Sequence, residues 1–362
     1  MKNPFLIIDK NGNSHISSNC SLNKMVIAKA PVAGIDDTIN GKPVSDIFSI
    51  AVVRKKVKEN IKALKIPQDT PDHKLASSLL KCMYSTDSAV CACAEEIARF
   101  FGKRFGLILL TLKTALQENR AVRPDWDNCH WEYWNKIENI IAVGGLTSGA
   151  FGSILTEEAL KVSTINNKPA YKISVFENAP HIGVMGCAKL LNKPDGVNIL
   201  MDLGQTNIKR SIVKREKGEI TSIEHLDTLP SKFMEWNIED EDERKRQAVL
   251  LHRYIIESTV QAYKQAERYN KVDNQFIISI ASYTNNGELD SNRGGYAKLT
   301  HLYKNYEIYL QEELSSVLKT PVSVKLVHDG TAVALNFANT PNSVCITLGT
   351  FLGVGFTDIF NN

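Results

Sequence analysis

The feature that most constrains the fold is an alternation of strand-like and helical runs over residues 197–356. Three apolar runs with β-type spacing come first, and a long amphipathic helix with an acidic first turn follows them. A buried strand, a second helix, another strand and a glycine-rich hairpin complete the region. Because strands that alternate with helices are typical of α/β proteins, we predict an α/β architecture.

The first half of the chain carries similar signals. It opens with alternating residues on either side of Asn11 and Gly12, which predicts a β-hairpin with an Asn-Gly tip. Residues 73–120 have helical apolar spacing, and residues 121–136 are predicted to form a loop rich in tryptophan. The sequence LNKPDG at 191–196 has the proline and glycine content of a linker.

The size and charge of the chain narrow the class of protein. A length of 362 residues exceeds one ordinary compact core, so two domains are expected. The net charge of +3 does not indicate a nucleic-acid-binding surface, and no apolar run approaches the ~18–20 residues of a membrane span. Seven cysteines, an odd number in a long chain, fit reduced thiols. We expect a cytoplasmic protein with no membrane or nucleic-acid partner and no signal peptide.

The segment D-L-G-Q-T-N at 202–207 is the first with chemical significance. An apolar strand delivers Asp202 to a tight turn, where Gly204 lets the backbone approach a phosphate closely. Asp202 is a candidate ligand of Mg²⁺, which prefers a few carboxylates together with water and phosphate oxygens. Thr206 offers a hydroxyl and a backbone N–H. The alternative interpretation is an ordinary hairpin turn.

Two more segments have residues suited to phosphate chemistry. Gly349, Gly353 and Gly355 lie within seven residues after a β-rich run, so exposed backbone N–H groups there can hold an anion. Asp329 ends a strand and precedes a helix, where a carboxylate can accept the proton of an attacking hydroxyl. A hairpin without a ligand and a helix N-cap are the respective alternatives.

Taken together, these segments resemble the ROK sugar kinases of the actin-like ATPase superfamily. DLGQTNIKRSIV at 202–213 is similar to the first phosphate motif of that family, and HDGTAVALNF at 328–337 is similar to the segment with the catalytic base. ITLGTFLGVGF at 346–356 is similar to the second phosphate motif. The strand and helix order of 197–329 also resembles a ribonuclease-H-like fold.

The remaining family segments occur in a different order. IENIIAVGGLTSGAFG at 137–152 resembles the adenosine segment, and HIGVMGCAKLL at 181–191 resembles the closing helix. Both follow the second phosphate motif in the family but precede the first one here. The resemblance therefore implies a circular permutation that joins two halves at LNKPDG, which is physically feasible when the original termini lie close together.

The resemblance implies two ribonuclease-H-like domains around a central cleft. The larger one comprises 1–190 completed by 330–362, and the smaller one comprises 197–329. The implied activity is ATP- and Mg²⁺-dependent phosphorylation of a sugar or similar small hydroxyl substrate. Apart from the resemblance, a homodimer is expected because dimers are the common outcome for soluble proteins of this size. The implied roles are as follows: Asp329 as general base, Asp202 on magnesium, Gly144 and Gly145 at adenosine, and Asp202, Gly204, Gln205, Thr206, Gly349, Thr350 and Gly353 at the phosphates.

Departures from the family pattern leave alternatives open. Gln205 and Phe351 replace glycines of the two phosphate motifs. His328 replaces an asparagine beside the base, so the resemblance implies that His328 contacts the sugar in its place. The sugar motif of the family has no counterpart, so Asp36 or Asp37 is the candidate for a sugar contact. The main alternative is a non-catalytic relative that binds nucleotide or sugar, and a hydrolase or acyl-phosphate kinase is a third.

Overall fold

A computed structural model of the protein describes residues 2–8, 14–176, 181–269, 272–291, 294–338 and 340–358. The described residues contain α1 (Val44–Ile47), α2 (Ile50–Glu59), α3 (Asp72–Cys82), α4 (Ser88–Thr114), α5 (Gln117–Ala121), α6 (Asn128–Lys136), α7 (Gly149–Val162), α8 (Ile182–Ala188), α9 (Glu241–Ala266), α10 (Tyr306–Leu318) and α11 (Asp329–Ala334). None of these helices combines the length and the apolar character needed to cross a lipid bilayer.

The strands are, in chain order, β1 (Leu6–Ile8), β2 (Ser14–Ile16), β3 (Val26–Ile27), β4 (Lys42–Pro43), β5 (Asn139–Val143), β6 (Thr164–Ile165), β7 (Lys168–Pro169), β8 (Lys172–Val175), β9 (Gly196–Leu203), β10 (Asn207–Glu216), β11 (Glu219–His225), β12 (Leu229–Pro230), β13 (Val272–Ile280), β14 (Thr284–Asn285), β15 (Glu288–Leu289), β16 (Ser323–His328), β17 (Ser343–Leu348) and β18 (Leu352–Phe356). The α/β class predicted from the sequence is confirmed.

The chain divides into two compact units, each made of discontinuous segments. Unit 1 comprises 1–5, 19–180 and 340–358, and unit 2 comprises 6–18, 181–339 and 359–362. Compared with the predicted ranges, α8, α11 and the hairpin of β1 and β2 lie in unit 2. A physical reason for the position of α8 is its close packing on α11: a Cβ on Gly186 would lie 1.6 Å from the carbonyl oxygen of Ala332. The Asn-Gly tip predicted for the hairpin lies outside the described residues.

The main sheet of unit 2 has the strand order β11–β10–β9–β13–β16, and β12 pairs with β10. β11, β10 and β9 are antiparallel neighbours, whereas β9, β13 and β16 run parallel. Because the carboxyl ends of parallel strands meet at one edge, the residues that end these three strands lie side by side. That edge carries Asp202, Ser279 and His328.

Both faces of strand β9 are covered by helices, which explains its continuous apolar sequence. Ile199, Met201 and Leu203 belong to the core cluster that also contains residues of α9 and α10. Leu200, which points to the opposite face, packs in a second cluster with Val184 of α8. Residues of α11 contribute to the same second cluster, so unit 2 has helices on both faces of its sheet.

Unit 1 contains a four-stranded sheet in the order β18–β17–β5–β8. β5 runs parallel to β17 and β8, and β18 is antiparallel to β17, which confirms the predicted terminal hairpin. Helices α4 and α7 approach each other closely at two glycines of α4. A Cβ on Gly102 would lie 2.6 Å from the oxygen of Leu155, and one on Gly106 would lie 2.7 Å from the oxygen of Ala159.

The prediction of a tryptophan-rich loop over 121–136 is wrong for its second half, because Asn128–Lys136 forms helix α6. Asp127 is its N-cap: the carboxylate accepts hydrogen bonds from the backbone N–H groups of Cys129 and His130. The His130 ring in turn accepts from the Asp127 backbone N–H, which completes a capping box. Trp131 and Trp134 point into the core of unit 1, at 1% and 0% exposure.

Candidate functional site

Asp202 lies near the carboxyl end of β9, where two side chains from neighbouring strands hold its carboxylate. Lys209 of β10 is its direct cross-strand neighbour and donates a hydrogen bond from Nζ to Oδ2 at 3.1 Å. Ser279 of β13 is its register partner on the other side and donates from Oγ to Oδ1 at 3.1 Å. The side chain is 15% exposed. Asp202 is therefore a fixed anion at the sheet edge.

Asp329 is the first residue of α11, directly after β16. Its Oδ1 atom accepts a hydrogen bond from the Gly330 backbone N–H at 2.7 Å, and 38% of its side chain remains exposed. Burial, followed by the negative charge of Asp202, raises the pKa of Asp329 to about 7, against smaller opposing effects of the Gly330 N–H and of Lys209. This carboxyl group is thus accessible and changes its charge near neutral pH.

His328 is buried directly beside Asp329. Its ring stacks on Tyr283 with centroids 4.4 Å apart and planes 12° apart, and Nδ1 accepts a hydrogen bond from the Thr331 backbone N–H. Burial lowers the pKa of His328 to about 3, so the ring is neutral at physiological pH. Because Nδ1 is an acceptor, the single ring proton lies on Nε2, which is 3.1 Å from Oδ1 of Asp329. The ring of His328 thus lies directly against the Asp329 carboxyl group.

The turn after β9 contains the predicted first phosphate motif. The Gly204 oxygen accepts hydrogen bonds from Ser231 Oγ and Tyr296 Oη, and its N–H bonds to the oxygen of Asn207. A Cβ on Gly204 would lie 2.9 Å from that Asn207 oxygen, so the position requires glycine. Gln205 donates its side-chain amide to the oxygen of Ala281 at 3.0 Å.

Thr206 lies on the exposed outside of the same turn, and its carbonyl oxygen accepts a hydrogen bond from the Ser231 N–H. The anchored amide of Gln205 and this backbone contact hold the turn in one conformation. Asp202, Gly204, Gln205, Thr206, His328 and Asp329 are therefore brought together on unit 2. Their roles in binding or catalysis stay predictions.

Two histidines that the sequence did not single out as site residues border this group. The rings of His181 and His225 stack with centroids 3.4 Å apart and planes 15° apart. Burial, His225 and Lys209 lower the pKa of His181, whereas Asp202 raises it, which places the ring within electrostatic reach of that pair. Burial also lowers the pKa of His225. Both rings are thus biased toward the neutral form.

The glycines predicted at adenosine follow β5 in unit 1. Gly144 has a φ of 115°, and a Cβ there would lie 2.4 Å from the oxygen of Leu348, so both the backbone and the packing require glycine. Gly145 has no atom within 4 Å of its Cβ position and borders open space. Because Val143 and Thr347 are register partners in parallel strands, Gly144 lies beside the end of β17.

The second predicted phosphate motif lies in the hairpin of β17 and β18. Gly349 has no atom within 4 Å of its Cβ position, while a Cβ on Gly353 would lie 3.3 Å from the Thr347 Cβ across the hairpin. The Thr350 oxygen accepts a hydrogen bond from the Ile50 N–H. Phe351, which replaces a family glycine, is 40% exposed. The structure thus brings the two glycine motifs of unit 1 to one sheet edge.

The aspartates predicted to contact a sugar are engaged in local structure. Asp36 forms a nearly buried ion pair with Arg104 at 2.8 Å and accepts from the Thr38 backbone N–H. Burial raises the pKa of Asp36, but the hydrogen bonds from Thr38 and Arg104 outweigh it and lower the pKa overall. Asp37 accepts from the Gly34 N–H at 3.1 Å. A sugar contact by either residue stays a prediction.

One group of potential metal ligands occurs among the described residues: Asp127, Cys129 and His130, whose ligand atoms lie within 4.8 Å of one another. The capping box accounts for this proximity. Hydrogen bonds from the Cys129 thiol and from His130 lower the pKa of Asp127 to about 2, against the opposing effect of burial. The group is explained by the start of a helix.

Comparison with known proteins leaves the family undetermined. No protein-family model and no curated protein matches the chain. Among solved structures, the chain is similar to an exopolyphosphatase from Cytophaga hutchinsonii ATCC 33406, at 16% identity over 45% of this chain and with a TM-score of 0.25. The matched part spans 51% of that exopolyphosphatase. A likeness of this size supports no conclusion about activity.

Proposed function

We propose that the protein is an ATP-dependent phosphotransferase that acts on a sugar or a similar small hydroxyl compound. The observation that carries the proposal is the half-exposed Asp329 carboxyl group, which lies at the start of a helix beside a second, fixed carboxylate. The pKa of Asp329 is raised to about 7. A general base works best when its pKa is close to the working pH, because it is then both ionised and basic.

The role proposed for Asp329 is proton acceptance. The acceptor hydroxyl loses its proton as its oxygen attacks phosphorus, and a carboxylate oxygen of Asp329 takes that proton. The backbone N–H of Gly330 donates to Oδ1 at 2.7 Å and makes this oxygen the less basic one, which leaves Oδ2 for the hydroxyl. The buried ring of His328 lies 3.1 Å from the same carboxyl group, so we propose it as a positioning residue rather than the sugar ligand expected from the resemblance.

The donors around Asp202 fit a magnesium ion. Mg²⁺ prefers carboxylate oxygen together with water and phosphate oxygens. Asp202 offers two such oxygens, each with one hydrogen-bond donor in place and further lone pairs available. When bound, the ion would neutralise charge on the transferring phosphoryl group. Asp202 would hold it, and Lys209 would supply the remaining positive charge.

The open glycines of unit 1 fit a nucleotide. Gly145 and Gly349 lie at the ends of adjacent parallel strands, and nothing occupies the space that side chains there would fill. Backbone N–H groups in such turns can bind anions. We propose that Gly144 and Gly145 border adenosine and that Gly349, Thr350 and Gly353 lie near phosphate. We also propose that the chain has a circularly permuted actin-like ATPase fold.

The alternative is a non-catalytic relative that binds nucleotide or sugar. Phe351 favours it, since a large exposed side chain stands where the family has glycine. Gln205 does not, because its amide is bonded to Ala281. The two functions differ in turnover: the alternative binds nucleotide without transferring phosphate.

The test is a panel of monosaccharides and polyols with γ-labelled ATP and Mg²⁺. Transfer of label to one of these compounds supports the proposal, and nucleotide binding without transfer to any of them supports the alternative. Asp329→Asn should reduce transfer by at least about a hundredfold. Asp227→Asn is the matched control, because this exposed aspartate of unit 2 makes the same charge change. Equal activity of the two variants would refute the assignment of the base.

A further inference from the structure

A cavity of about 460 Å³ lies in unit 2 between the segment that precedes α9 and the 3₁₀ helix Gly295–His301. Its volume is in the lower range for small-molecule sites. The residues assigned to phosphate transfer do not line it. Those that do include Trp236, Asn237, Glu239, Arg244, Ser291 and Lys298.

Two cationic side chains enable the cavity to bind an anion. Lys298 is 4% exposed and donates two of its three N–H groups to the carbonyl oxygens of Phe233, at 2.6 Å, and Glu235. Burial lowers the pKa of Lys298, whereas the carboxylates of Glu235 and Glu243 raise it to a smaller extent. Its hydrogen-bond partners are both neutral carbonyls, so its third N–H can donate to an anion. Arg244 donates Nε and Nη2 to the oxygen of Ile238, which uses two of its five N–H donors.

The rest of the lining suits a sugar ring better than a flat aromatic base. Trp236 is 51% exposed and lines the cavity with its indole ring. Asn237, Glu239 and Ser291 supply both hydrogen-bond donors and acceptors, which match the hydroxyl groups of a sugar. Several hydroxyl groups on a sugar ring can use this mixed set of donors and acceptors, whereas a flat base offers fewer polar groups along its edge.

The cavity adjoins the turn that holds the first phosphate motif. A Cβ on Gly294, which lines the cavity, would lie 3.2 Å from Nε2 of Gln205. Tyr296, two residues further along, donates its hydroxyl to the oxygen of Gly204 at 2.9 Å. We propose that this cavity binds a monosaccharide phosphate, with the ring against Trp236 and the phosphate on Arg244 and Lys298. This site is distinct from the carboxylate pair and goes beyond the proposed transferase activity.

Tryptophan fluorescence provides the test, since the other three tryptophans are at most 4% exposed. The full chain, without ATP or Mg²⁺, is titrated with hexose and pentose monophosphates, with glucose, with inorganic phosphate and with adenosine monophosphate. We expect a sugar phosphate to change the emission and to bind at least about tenfold more tightly than glucose or phosphate alone. In the Trp236→Phe variant, the change in emission should be lost, and calorimetry should show weaker binding of the sugar phosphate.

The decisive comparison is between neighbouring cations of α9. Arg244→Gln should weaken sugar-phosphate binding at least about tenfold. Lys245→Gln should not, because Lys245 pairs with Glu241 and is half exposed. Thermal unfolding checks that both variants are folded, and Trp236→Leu provides a second disruption if Arg244→Gln is not. Equal affinities of the two glutamine variants, tighter binding of adenosine monophosphate, or no response up to about 10 mM would each overturn the proposal.

Discussion

Replacing Asp329 with asparagine should make the protein more stable at alkaline pH, although the same change is expected to remove activity. The folded protein raises the pKa of this carboxyl from the ordinary 3.8 to about 7. Ionisation is therefore harder in the folded state than in the unfolded state, and the wild type loses stability as the pH rises from about 4 through about 7. Asparagine resembles the protonated acid in shape and carries no charge, so the variant does not lose folding stability as the pH rises.

The size of the effect follows from the pKa and the exposure. For a fully enclosed group, a change from 3.8 to about 7 corresponds to ~4 kcal/mol. Because 38% of the Asp329 side chain is exposed, solvent screening reduces that value, and we expect ~1–2 kcal/mol. The stabilisation should be nearly absent at pH 4, grow up to about pH 7 and remain constant above it.

The assay is urea unfolding of wild type and Asp329→Asn at a series of pH values between 4 and 9. Asp69→Asn, a change at an exposed aspartate, is the control for the loss of one negative charge. A variant that is less stable than wild type at pH 8 would refute the reasoning. A stability difference that is the same at pH 4.5 and pH 8 would also refute it.

Three further changes test the geometry around the site. Gly186→Ala should destabilise the protein by ~3 kcal/mol or more in urea unfolding, since the added Cβ would lie 1.6 Å from the Ala332 oxygen. A stability like that of wild type would contradict this packing. Lys209→Met removes a positive charge that lowers the pKa of Asp329, so the titration midpoint of Asp329 should be higher in this variant. A lower midpoint would contradict the expected effect of Lys209. Gly349→Ala should leave stability within ~0.5 kcal/mol of wild type but weaken ATP binding in calorimetry, and unchanged binding would argue against a phosphate there.

Much of unit 2 was predictable because its local signals agree with its tertiary structure. Strand β9 is a continuous apolar run that ends at Asp202, and the acidic first turn of α9 suits the helix dipole. Lys209 could also have been found, since pairing across the turn at Gly204 places it opposite Asp202. Ser279 depends on the register of two parallel strands that are distant in sequence, which local spacing does not determine.

Other features required the three-dimensional structure. The stacking of His181 on His225 joins residues 44 positions apart, and the motif that begins at His181 does not indicate its partner. Helix α6 was missed because its aromatic residues have low helix propensity, whereas burial of Trp131 and Trp134 compensates for this. The capping pair of Asp127 and His130 is a weaker sequence signal than the usual box, which has a glutamate or glutamine at the last position.

The most direct measurement is a ¹³C NMR titration of the aspartate carboxyl groups, with Asp329→Asn identifying the resonance by its absence. The proposed phosphate transfer requires one accessible carboxyl group beside Asp202 that takes up a proton near neutral pH. We expect the Asp329 resonance to titrate with a midpoint near pH 7, and this midpoint to fall in Asp202→Asn because a neighbouring negative charge is removed. A midpoint near 4 in the wild type, or no change in Asp202→Asn, would contradict it.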